Sequence, residues 1–433
     1  MRFKLAILVA RITKMILVLF NKRGGSLPGK LGMKIDPNIM NNIKYPNTII
    51  LVTGTNGKTT TTNMIYQVLI KEYNKVLGNI GGDNLYAGIN TLLLLNTNFK
   101  GIINADAIVL EVDELSVNKV MKSIPVTHFI LLNLFRDQLD RAGEMQIIIN
   151  RFESILEYYK GSIILNGDDP NVFRLGYNKD NVFYFSSSKQ YDAKNISNEA
   201  TEGKFCFICN NLLEYNYYQY SHIGSFKCNN CKYDNNKSYI KAYDLDHNNY
   251  HFIVDNYRFN NPYKNIYSLY NCLSVITLSK LLNINYDKVN QVLDTFKMND
   301  GRMEEFYINR KLILNLIKNP TGANEVIKII NKDNTNKDIW IILNDNGQDG
   351  RDVSWIYDVK FELLNNSNIN NVICSGTRGY DLALALKYNN IDNIIVFDND
   401  KKAYEYIKGL SNICYVLATY TALQKTRKLL KGK

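Results

Sequence analysis

The chain contains few cysteines, few prolines and only two tryptophans in 433 residues. Its seven cysteines are an odd number, and no small-residue cleavage site follows the apolar N-terminal segment. A secreted disulfide framework is therefore not expected, and a reducing compartment is predicted. Acidic residues are in the minority, and the formal net charge of +11 suits an anionic partner: a nucleotide, a nucleic acid, a polyanionic substrate or a membrane surface. The charge alone does not choose among these.

Long uninterrupted apolar runs are also missing. Residues 1–23 are strongly apolar, but Lys4, Arg11 and Lys14 interrupt them, and a spanning helix needs about 20 predominantly apolar residues. The segment therefore predicts an amphipathic helix, which could pack on the body of the protein or lie on a membrane surface. From residue 24 to residue 47, glycines and prolines recur too often for a long element, so a connector is predicted there.

A glycine-rich loop carries the clearest signal for function. It follows a strand-like apolar run that begins at residues 48–50, and it precedes a helix-like segment at residues 61–70. Backbone N–H groups of such a loop surround phosphate oxygens, while Lys58 adds positive charge and the Thr59 hydroxyl can bind Mg²⁺. The spacing Gly-x-x-Gly-Lys-Thr matches only the second half of the general Walker pattern, and an accidental glycine-rich turn is the alternative. The predicted nucleotide-binding residues are Gly54, Thr55, Asn56, Gly57, Lys58, Thr59 and Thr60.

Carboxylates follow a second strand-like run at residues 107–110, namely Glu111, Asp113 and Glu114. Repeated strand and helix patterns indicate parallel βαβ units, in which the carboxyl ends of the strands meet at one ligand-binding edge. Acidic groups at that edge can hold the Mg²⁺ that accompanies a nucleotide, and Glu111 is the first candidate. A solvated helix cap is the alternative interpretation of these carboxylates.

Two Cys-x-x-Cys pairs follow farther along the chain. Cys206 and Cys209 form the first pair, Cys228 and Cys231 the second, and eighteen residues separate the pairs. This spacing is typical of a tetrahedral Cys₄ zinc site of the ribbon type. Four thiolates leave no coordination position open, so the zinc is predicted to be structural. A redox dithiol is the alternative, although a single pair would suffice for it.

The zinc-ribbon insertion is predicted to span about residues 200–240. A tyrosine-rich run at residues 215–220 lies between the two cysteine pairs and predicts a hairpin. Three histidines occur in or near this region, and they are predicted to be ordinary surface residues. These are His222, His247 and His251.

The last third of the chain has its own alternation of strands and helices. A break at residues 299–302 predicts a domain boundary, and strand-like runs at 339–343, 371–374 and 394–397 indicate a second α/β domain. A polar and acidic loop at residues 347–352 follows the first of these strands and is a candidate site, with a plain surface turn as the alternative. The predicted domains are residues 1–45, 46–300 and 301–433.

Together these motifs resemble the Mur ligases, and among them the MurT family of ligase subunits of lipid II isoglutaminyl synthase. Residues 53–61 match the Mur-ligase phosphate loop, which folylpolyglutamate synthases share. The Cys₄ insertion and residues 316–322, 343–346 and 349–355 are narrower signals, which ordinary Mur ligases lack. The resemblance covers nearly the whole chain. It implies an α/β fold in which a Mur-ligase central domain, with a parallel sheet and the phosphate loop, carries the zinc ribbon and precedes a Rossmann-like α/β domain.

The resemblance implies an ATP-dependent amidation in peptidoglycan synthesis. The α-carboxylate of D-glutamate in the lipid II stem peptide would become an acyl phosphate, which ammonia converts to D-isoglutamine. Lys58, Thr59 and Glu111 carry the ATP and Mg²⁺ roles by motif match. Asn271, in the run Tyr-Asn-Cys-Leu-Ser, matches the position that contacts the nucleotide base.

The ammonia is expected from a separate protein. A glutaminase needs a cysteine nucleophile on a sharp turn, whereas Cys272 lies in a helix pattern and Cys374 and Cys414 lie in strand-like runs. The resemblance implies a heterodimer with the glutaminase subunit GatD, in the cytoplasm at or near the inner face of the plasma membrane. Asp352 matches the residue that completes the Cys-His pair of that subunit as the third member of a triad, and Asp349 is its nearest rival.

Two other functions remain open at this stage. A folylpolyglutamate-type ligase would explain the phosphate loop but not the Cys₄ ribbon, and it would need an amino acid in place of ammonia. A zinc-ribbon nucleic-acid ATPase would use the positive charge, yet the basic residues form no compact patch with stacking aromatics, so no nucleic-acid partner is expected. Ordinary Mur ligases have a histidine where Gln138 stands, so a second metal held by that histidine is not expected here.

Overall fold

The computed structural model describes residues 1–20, 24–135, 145–191, 193–197, 202–246, 250–263, 265–297 and 303–431. The described residues form two compact units, one between Met1 and Phe296 and the other between Lys297 and Lys431. The predicted boundary at residues 299–302, together with Gln138 and His247, lies outside the described residues.

The first unit contains eleven of the described strands. They are β1 (Thr48–Thr53), β2 (Val76–Gly78), β3 (Ala107–Glu111), β4 (His128–Leu131), β5 (Ser162–Asn166), β6 (Val182–Ser187), β7 (Glu214–Tyr220), β8 (Ile223–Lys227), β9 (Ile240–Asp246), β10 (His251–Val254) and β11 (Tyr257–Asn260). Its described helices are α1 (Arg2–Leu19), α2 (Leu27–Ile35), α3 (Lys58–Leu69), α4 (Tyr86–Leu95), α5 (Val117–Ser123), α6 (Met145–Leu156), α7 (Pro170–Phe173), α8 (Ile266–Leu281) and α9 (Tyr286–Thr295), with short 3-10 turns at Ile39–Asn42 and Arg174–Gly176.

Nine of these strands form one sheet in the order β11-β10-β9-β6-β5-β4-β1-β3-β2. The pairs from β2 through β9 are parallel, and β10 and β11 complete the sheet as antiparallel edge strands. The central strands are continuous apolar runs that are almost completely buried, as expected for a parallel sheet covered on both faces. The carboxyl ends of β5, β4, β1 and β3 are neighbours, so the segments that follow them meet at one edge of the sheet.

Helix α2 lies inside the predicted connector, where the glycines argued against a long element. It has nine residues, and its glycines allow close packing. A Cβ atom on Gly29 would lie 2.2 Å from the carbonyl oxygen of Ala87, and the Gly29 N–H donates to Thr91 Oγ1 at 2.8 Å. The glycines that lower helix propensity therefore let α2 approach α4 closely.

The second unit is a six-stranded sheet in the order β12-β13-β17-β14-β15-β16, and only β12 runs antiparallel to its neighbour. Its strands are β12 (Glu304–Tyr307), β13 (Lys311–Leu316), β14 (Lys337–Ile342), β15 (Ile369–Ser375), β16 (Ile394–Val396) and β17 (Ile413–Ala418). Its helices are α10 (Pro320–Lys332), α11 (Gly379–Tyr388), α12 (Asp400–Lys408) and α13 (Tyr420–Leu430), with 3-10 turns at Ser354–Asp358 and Phe361–Leu364. This architecture agrees with the prediction of a second, Rossmann-like α/β domain.

Candidate nucleotide site and zinc ribbon

The phosphate loop connects β1 to α3, as the sequence pattern predicts. Gly57 caps α3 with a left-handed backbone (φ 85°), a conformation that glycine adopts without strain. A Cβ atom at this position would lie 2.3 Å from Asn271 Oδ1, so any other residue would displace that side chain. Helix α8 thus brings Asn271, the candidate for contacting the base, directly against the loop.

The segment after β4 holds the loop in place, although sequence reasoning assigned it no role. Asn133 Oδ1 accepts a hydrogen bond from the N–H of Asn56 at 2.9 Å, and Asn133 Nδ2 donates to the Asn56 carbonyl at 3.0 Å. Thr55 Oγ1 accepts from the N–H of Phe135 at 2.9 Å. These hydrogen bonds from Asn56 and Thr55 to the neighbouring segment hold the loop in one conformation before a ligand binds.

Lys58 is buried at the start of α3. Its Nζ donates to the carbonyl oxygens of Gly54 and Thr55, and it forms an ion pair with Glu114 Oε1 at 2.9 Å. Burial alone would lower the pKa of Lys58, but the charge and hydrogen bond of Glu114, with smaller contributions from Glu111 and Asp113, raise it overall. The lysine is therefore charged, and it is available for phosphate oxygens once they replace these partners.

Glu111 lies at the end of β3, next to β1 in register with Val52. Asn79 fixes its backbone through two hydrogen bonds of 2.8 Å, and Asn84 donates to its Oε1 at 2.9 Å. Its other carboxylate oxygen, Oε2, is buried and has no hydrogen-bond partner among the described residues. An unsatisfied buried carboxylate oxygen beside a phosphate loop fits a Mg²⁺ ligand, because Mg²⁺ prefers oxygen donors. Thr59, the other predicted ligand, is half-buried in the first turn of α3.

The four predicted zinc ligands come together. The sulfur atoms of Cys206, Cys209, Cys228 and Cys231 all lie within 4.8 Å of one another. The Sγ atoms of Cys206 and Cys231 are 3.4 Å apart, and those of Cys209 and Cys228 are 3.5 Å apart. Tetrahedral zinc with Zn–S bonds of about 2.3 Å needs sulfurs about 3.8 Å apart, so the donor set and its geometry fit a structural zinc ion.

The tyrosine-rich run forms the predicted hairpin, because β7 and β8 pair antiparallel. The prediction of a surface histidine is wrong for His222, which is completely buried just before β8. Its ring lies 4.7 Å from the ring of Phe135, and its Nε2 lies 3.4 Å from Asp169 Oδ1. His251 is half-buried in β10.

The acidic loop of the second unit distinguishes the two candidate triad acids. Asp349 is buried, and its carboxylate accepts hydrogen bonds from the backbone N–H of Thr421 at 2.7 Å and from the Thr421 hydroxyl. Asp352 is exposed, and its Oδ1 accepts a 2.8 Å hydrogen bond from the N–H of Ser354. This hydrogen bond holds the pKa of Asp352 below its ordinary value, so the carboxylate is ionised and open to a partner.

The three cysteines outside the ribbon are buried, and burial raises the pKa of each thiol to about 12. They are Cys272, Cys374 and Cys414. Thiols of this kind are protonated at neutral pH and are inert as nucleophiles.

Comparison with known proteins identifies the family. A family model for the Mur ligase middle domain matches residues 52–232, and one for the MurT ligase C-terminal region matches residues 316–423. The subunit MurT of lipid II isoglutaminyl synthase (glutamine-hydrolyzing) from Staphylococcus aureus (strain COL) is 32% identical over 427 residues, which cover 98% of this chain and 96% of that protein. The chain belongs to the MurT family. The MurT of Streptococcus pneumoniae (strain ATCC BAA-255 / R6) is 30% identical over 95% of this chain and 93% of its own. Membership makes this chain a Mur-type ligase, a family that uses ATP and Mg²⁺.

Solved structures agree on the fold. A pseudomurein peptide ligase type C from Methanothermus fervidus aligns with a TM-score of 0.70 at 21% identity, over 92% of this chain and 81% of the other. The MurF ligase of Thermotoga maritima in complex with ADP aligns with a TM-score of 0.60 at 17% identity, over 93% and 81% of the two chains. The resemblance of the MurT-family chain to Mur ligases is therefore confirmed for both sequence and fold.

Zinc is expected in stoichiometric amount in the purified protein. The double variant Cys228→Ser/Cys231→Ser should lose the metal and unfold about 10 °C lower, because the four thiolates would no longer cross-link the ribbon. Metal analysis and a thermal unfolding scan measure both effects. Cys374→Ala is the matched control and should retain full zinc content. A metal-free protein, or an unchanged metal content in the double variant, would contradict the assignment.

Proposed function

We propose that this ligase amidates the α-carboxylate of the D-glutamate residue in the lipid II stem peptide, forming D-isoglutamine. The observation that carries the proposal is end-to-end similarity to proteins named as the MurT subunit of a glutamine-hydrolysing lipid II isoglutaminyl synthase, with this chain spanning 96% of the length of one of them. Fold alone would not support it, because Mur ligases of one fold act on different substrates.

The reaction needs activation of a poor electrophile. A carboxylate oxygen attacks the γ-phosphorus of ATP, ADP leaves, and the acid becomes an acyl phosphate. Ammonia then attacks the acyl carbon, and phosphate leaves with one of the original carboxylate oxygens. Catalysis of this kind depends on positioning and on stabilisation of the developing negative charge rather than on a covalent enzyme intermediate.

The residues of the phosphate loop have distinct roles in this proposal. The loop from Gly54 to Thr60 surrounds the phosphate oxygens, and the backbone N–H groups of Gly57, Lys58 and Thr59 donate to them at the N-terminus of α3. Lys58 exchanges its contacts with carbonyl oxygens and Glu114 for contacts with the phosphates. Thr59 and Glu111 hold Mg²⁺, which when bound neutralises charge on the phosphate oxygens. Asn271, held against Gly57, contacts the base.

The ammonia comes from a partner glutaminase, which we propose to be the GatD subunit in a heterodimer. Support comes from the words "glutamine-hydrolyzing" in the names of the relatives and from the three buried thiols of this chain, which cannot serve as glutaminase nucleophiles. Asp352 is exposed and ionised, as an acid that orients an imidazole on the partner must be.

The direct test is incubation of the chain with ATP, Mg²⁺ and lipid II, and with ammonium as the nitrogen source. Mass spectrometry should show conversion of the acid to the amide. Substitution of an amino acid for ammonium should give no product. A product that carries a whole amino acid would instead indicate a folylpolyglutamate-type activity, and the absence of any ATP-dependent product would refute the proposal.

A lipid-linked substrate leads us to propose that α1 rests on the membrane surface. The helix buries Ala6, Ile7 and Ala10 against the protein and leaves apolar side chains exposed. Six of the exposed residues recur at helical spacing and are between 43% and 74% exposed: Leu5, Leu8, Ile12, Met15, Ile16 and Leu19. Helix α1 packs against α2, and both helices carry exposed cations. These are Arg2 and Lys4 on α1, and Lys30 and Lys34 on α2. Within the described ranges, no helix combines the length and apolar character needed to cross a bilayer. The pattern suits an interfacial helix on anionic lipid.

The double variant Ile12→Glu/Ile16→Glu should therefore bind vesicles containing phosphatidylglycerol at least about tenfold more weakly than the parent chain, because two apolar anchors become charged. Co-flotation measures binding, and pure phosphatidylcholine vesicles should bind the parent chain weakly. Leu384→Glu, at an exposed position in α11, is the matched control. Equal flotation of the double variant and the control would show that α1 is not the membrane contact.

A further inference from the structure

The zinc-ribbon hairpin packs on two elements that adjoin the nucleotide site. We define the hairpin tip as Tyr220, Ser221 and His222, the end of β7 and the turn into β8. The Tyr220 ring lies 4.1 Å from the ring of Tyr267 and 5.8 Å from that of Tyr270, both on α8. It also stacks at 6.1 Å on Phe135, in the segment after β4. The hairpin tip therefore contacts two separate elements at once.

Both of these elements support the phosphate loop. Phe135 makes two hydrogen bonds to the side chain of Thr55 in the loop. Its N–H donates to Thr55 Oγ1 at 2.9 Å, and its carbonyl oxygen accepts from the Thr55 hydroxyl at 3.2 Å. Helix α8 carries Asn271, the residue next to Tyr270, against Gly57. A displacement of the hairpin tip would therefore disturb both elements that contact the loop.

His222 adds a polar contact to the same place. It is completely buried, and neither ring nitrogen has a hydrogen-bond partner within the part of the chain that the structure describes. Its Nε2 lies 3.4 Å from Asp169 Oδ1, while Asp169 Oδ2 accepts from the N–H of Leu134 at 2.8 Å. His222 and Asp169 thus flank the segment that leads to Phe135.

A polar connection also links the metal-binding half of the ribbon to α8. Asn235, four residues after the last cysteine, donates to Asp168 Oδ1 at 3.1 Å and to the carbonyl of Gly224 in β8 at 3.0 Å. Asp168 Oδ2 in turn accepts from the Tyr270 hydroxyl at 2.6 Å. These groups are buried, so their hydrogen bonds are strong and costly to break.

We infer that the zinc-ribbon hairpin positions the nucleotide site: Tyr220 and His222 hold Phe135 and α8 so that Thr55 and Asn271 meet ATP in a fixed geometry. They are positioning residues, since they act through these neighbours. The inference rests on the proposed ATP site. It assigns the Cys₄ insertion a role in nucleotide affinity besides local stability.

The test uses the full chain and a non-hydrolysable ATP analogue. Tyr220→Leu should raise the dissociation constant of the analogue and the KM for ATP about tenfold, the size typical of lost supporting contacts, while kcat changes less than about twofold. Tyr220→Phe keeps the ring and should restore affinity. Tyr218→Leu, in the same strand, is the matched control, because the Tyr218 ring stacks on Tyr215 at 4.1 Å instead. Zinc content and thermal unfolding are measured for every variant.

An unchanged analogue affinity in folded Tyr220→Leu would overturn the inference, and so would an equal loss of affinity in Tyr218→Leu. If Tyr220→Leu does not fold, His222→Gln serves in its place, with the same expected loss of affinity and the same overturning result. Binding of the analogue requires neither lipid II nor a glutaminase. If Tyr220→Leu binds the analogue more weakly while Tyr218→Leu does not, and the amidation assay nevertheless fails, the proposed function is refuted but the positioning role of the hairpin is not.

Discussion

Lys58→Gln should reduce amidation about a thousand-fold or more, equally with ammonium and with glutamine plus the glutaminase. Lys58 is the cation that the phosphate loop holds at the start of α3, and removing a preorganised charge of this kind from a phosphoryl-transfer site typically costs two to three orders of magnitude or more. Glutamine retains a donor for the carbonyl of Gly54 but has no charge. Initial rates of amide formation, followed by mass spectrometry, measure the loss.

The matched control for this variant is Lys71→Gln, an exposed lysine just beyond the end of α3, which should leave the rate unchanged. Because Lys58 also pairs with Glu114 at 2.9 Å, zinc content and thermal unfolding must show that the variant is folded. A folded Lys58→Gln chain with more than about a tenth of the parent rate would mean that phosphoryl transfer does not depend on this loop.

Asp352→Asn should abolish turnover with glutamine while leaving turnover with ammonium within about twofold of the parent. An asparagine cannot stabilise an imidazolium on the partner, and a triad without its acid typically loses about four orders of magnitude in rate. Ammonium bypasses the glutaminase, so the ligase half of the reaction is unaffected. The measurement is the ratio of the two rates for the assembled complex.

Two further aspartates complete this experiment. Asp358→Asn, at an exposed position in the same region, should leave both rates unchanged. Asp349→Asn removes hydrogen-bond capacity from the buried contacts with Thr421, so it should lower the thermal stability of the second unit and reduce both rates together. Equal losses of both activities in Asp352→Asn, or selective loss in Asp349→Asn, would contradict the assignment of Asp352.

The features that could be predicted from the sequence depend on short-range patterns. The strand, glycine-rich loop and helix around Lys58 are contiguous, and the spacing of the cysteine pairs alone predicts four converging thiolates. The edge position of Glu111 follows from the rule that parallel strands end together. Each of these inferences needs only local chemistry and one rule of topology.

The contacts that could not be predicted connect residues distant in sequence. Lys58 pairs with Glu114 and not with Glu111 or Asp113. Side-chain geometry decides which of these three nearby carboxylates reaches Lys58, and the sequence pattern does not show it. Asn133 bonds to the loop across more than seventy positions of sequence. The burial of His222 was missed because a histidine in a polar, aromatic hairpin gives no periodic signal of burial, and only the packing of the hairpin tip against Phe135 reveals it.

The central claim is that ATP converts the substrate carboxylate into an acyl phosphate at the loop containing Lys58. The most direct measurement labels both oxygens of the D-glutamate α-carboxylate with the heavy oxygen isotope and follows the label through the ammonium-driven reaction. Each inorganic phosphate formed should carry one labelled oxygen, and Lys58→Gln should form almost no labelled phosphate. Amide formation with unlabelled phosphate would show that the carboxylate is never phosphorylated, and would contradict the account.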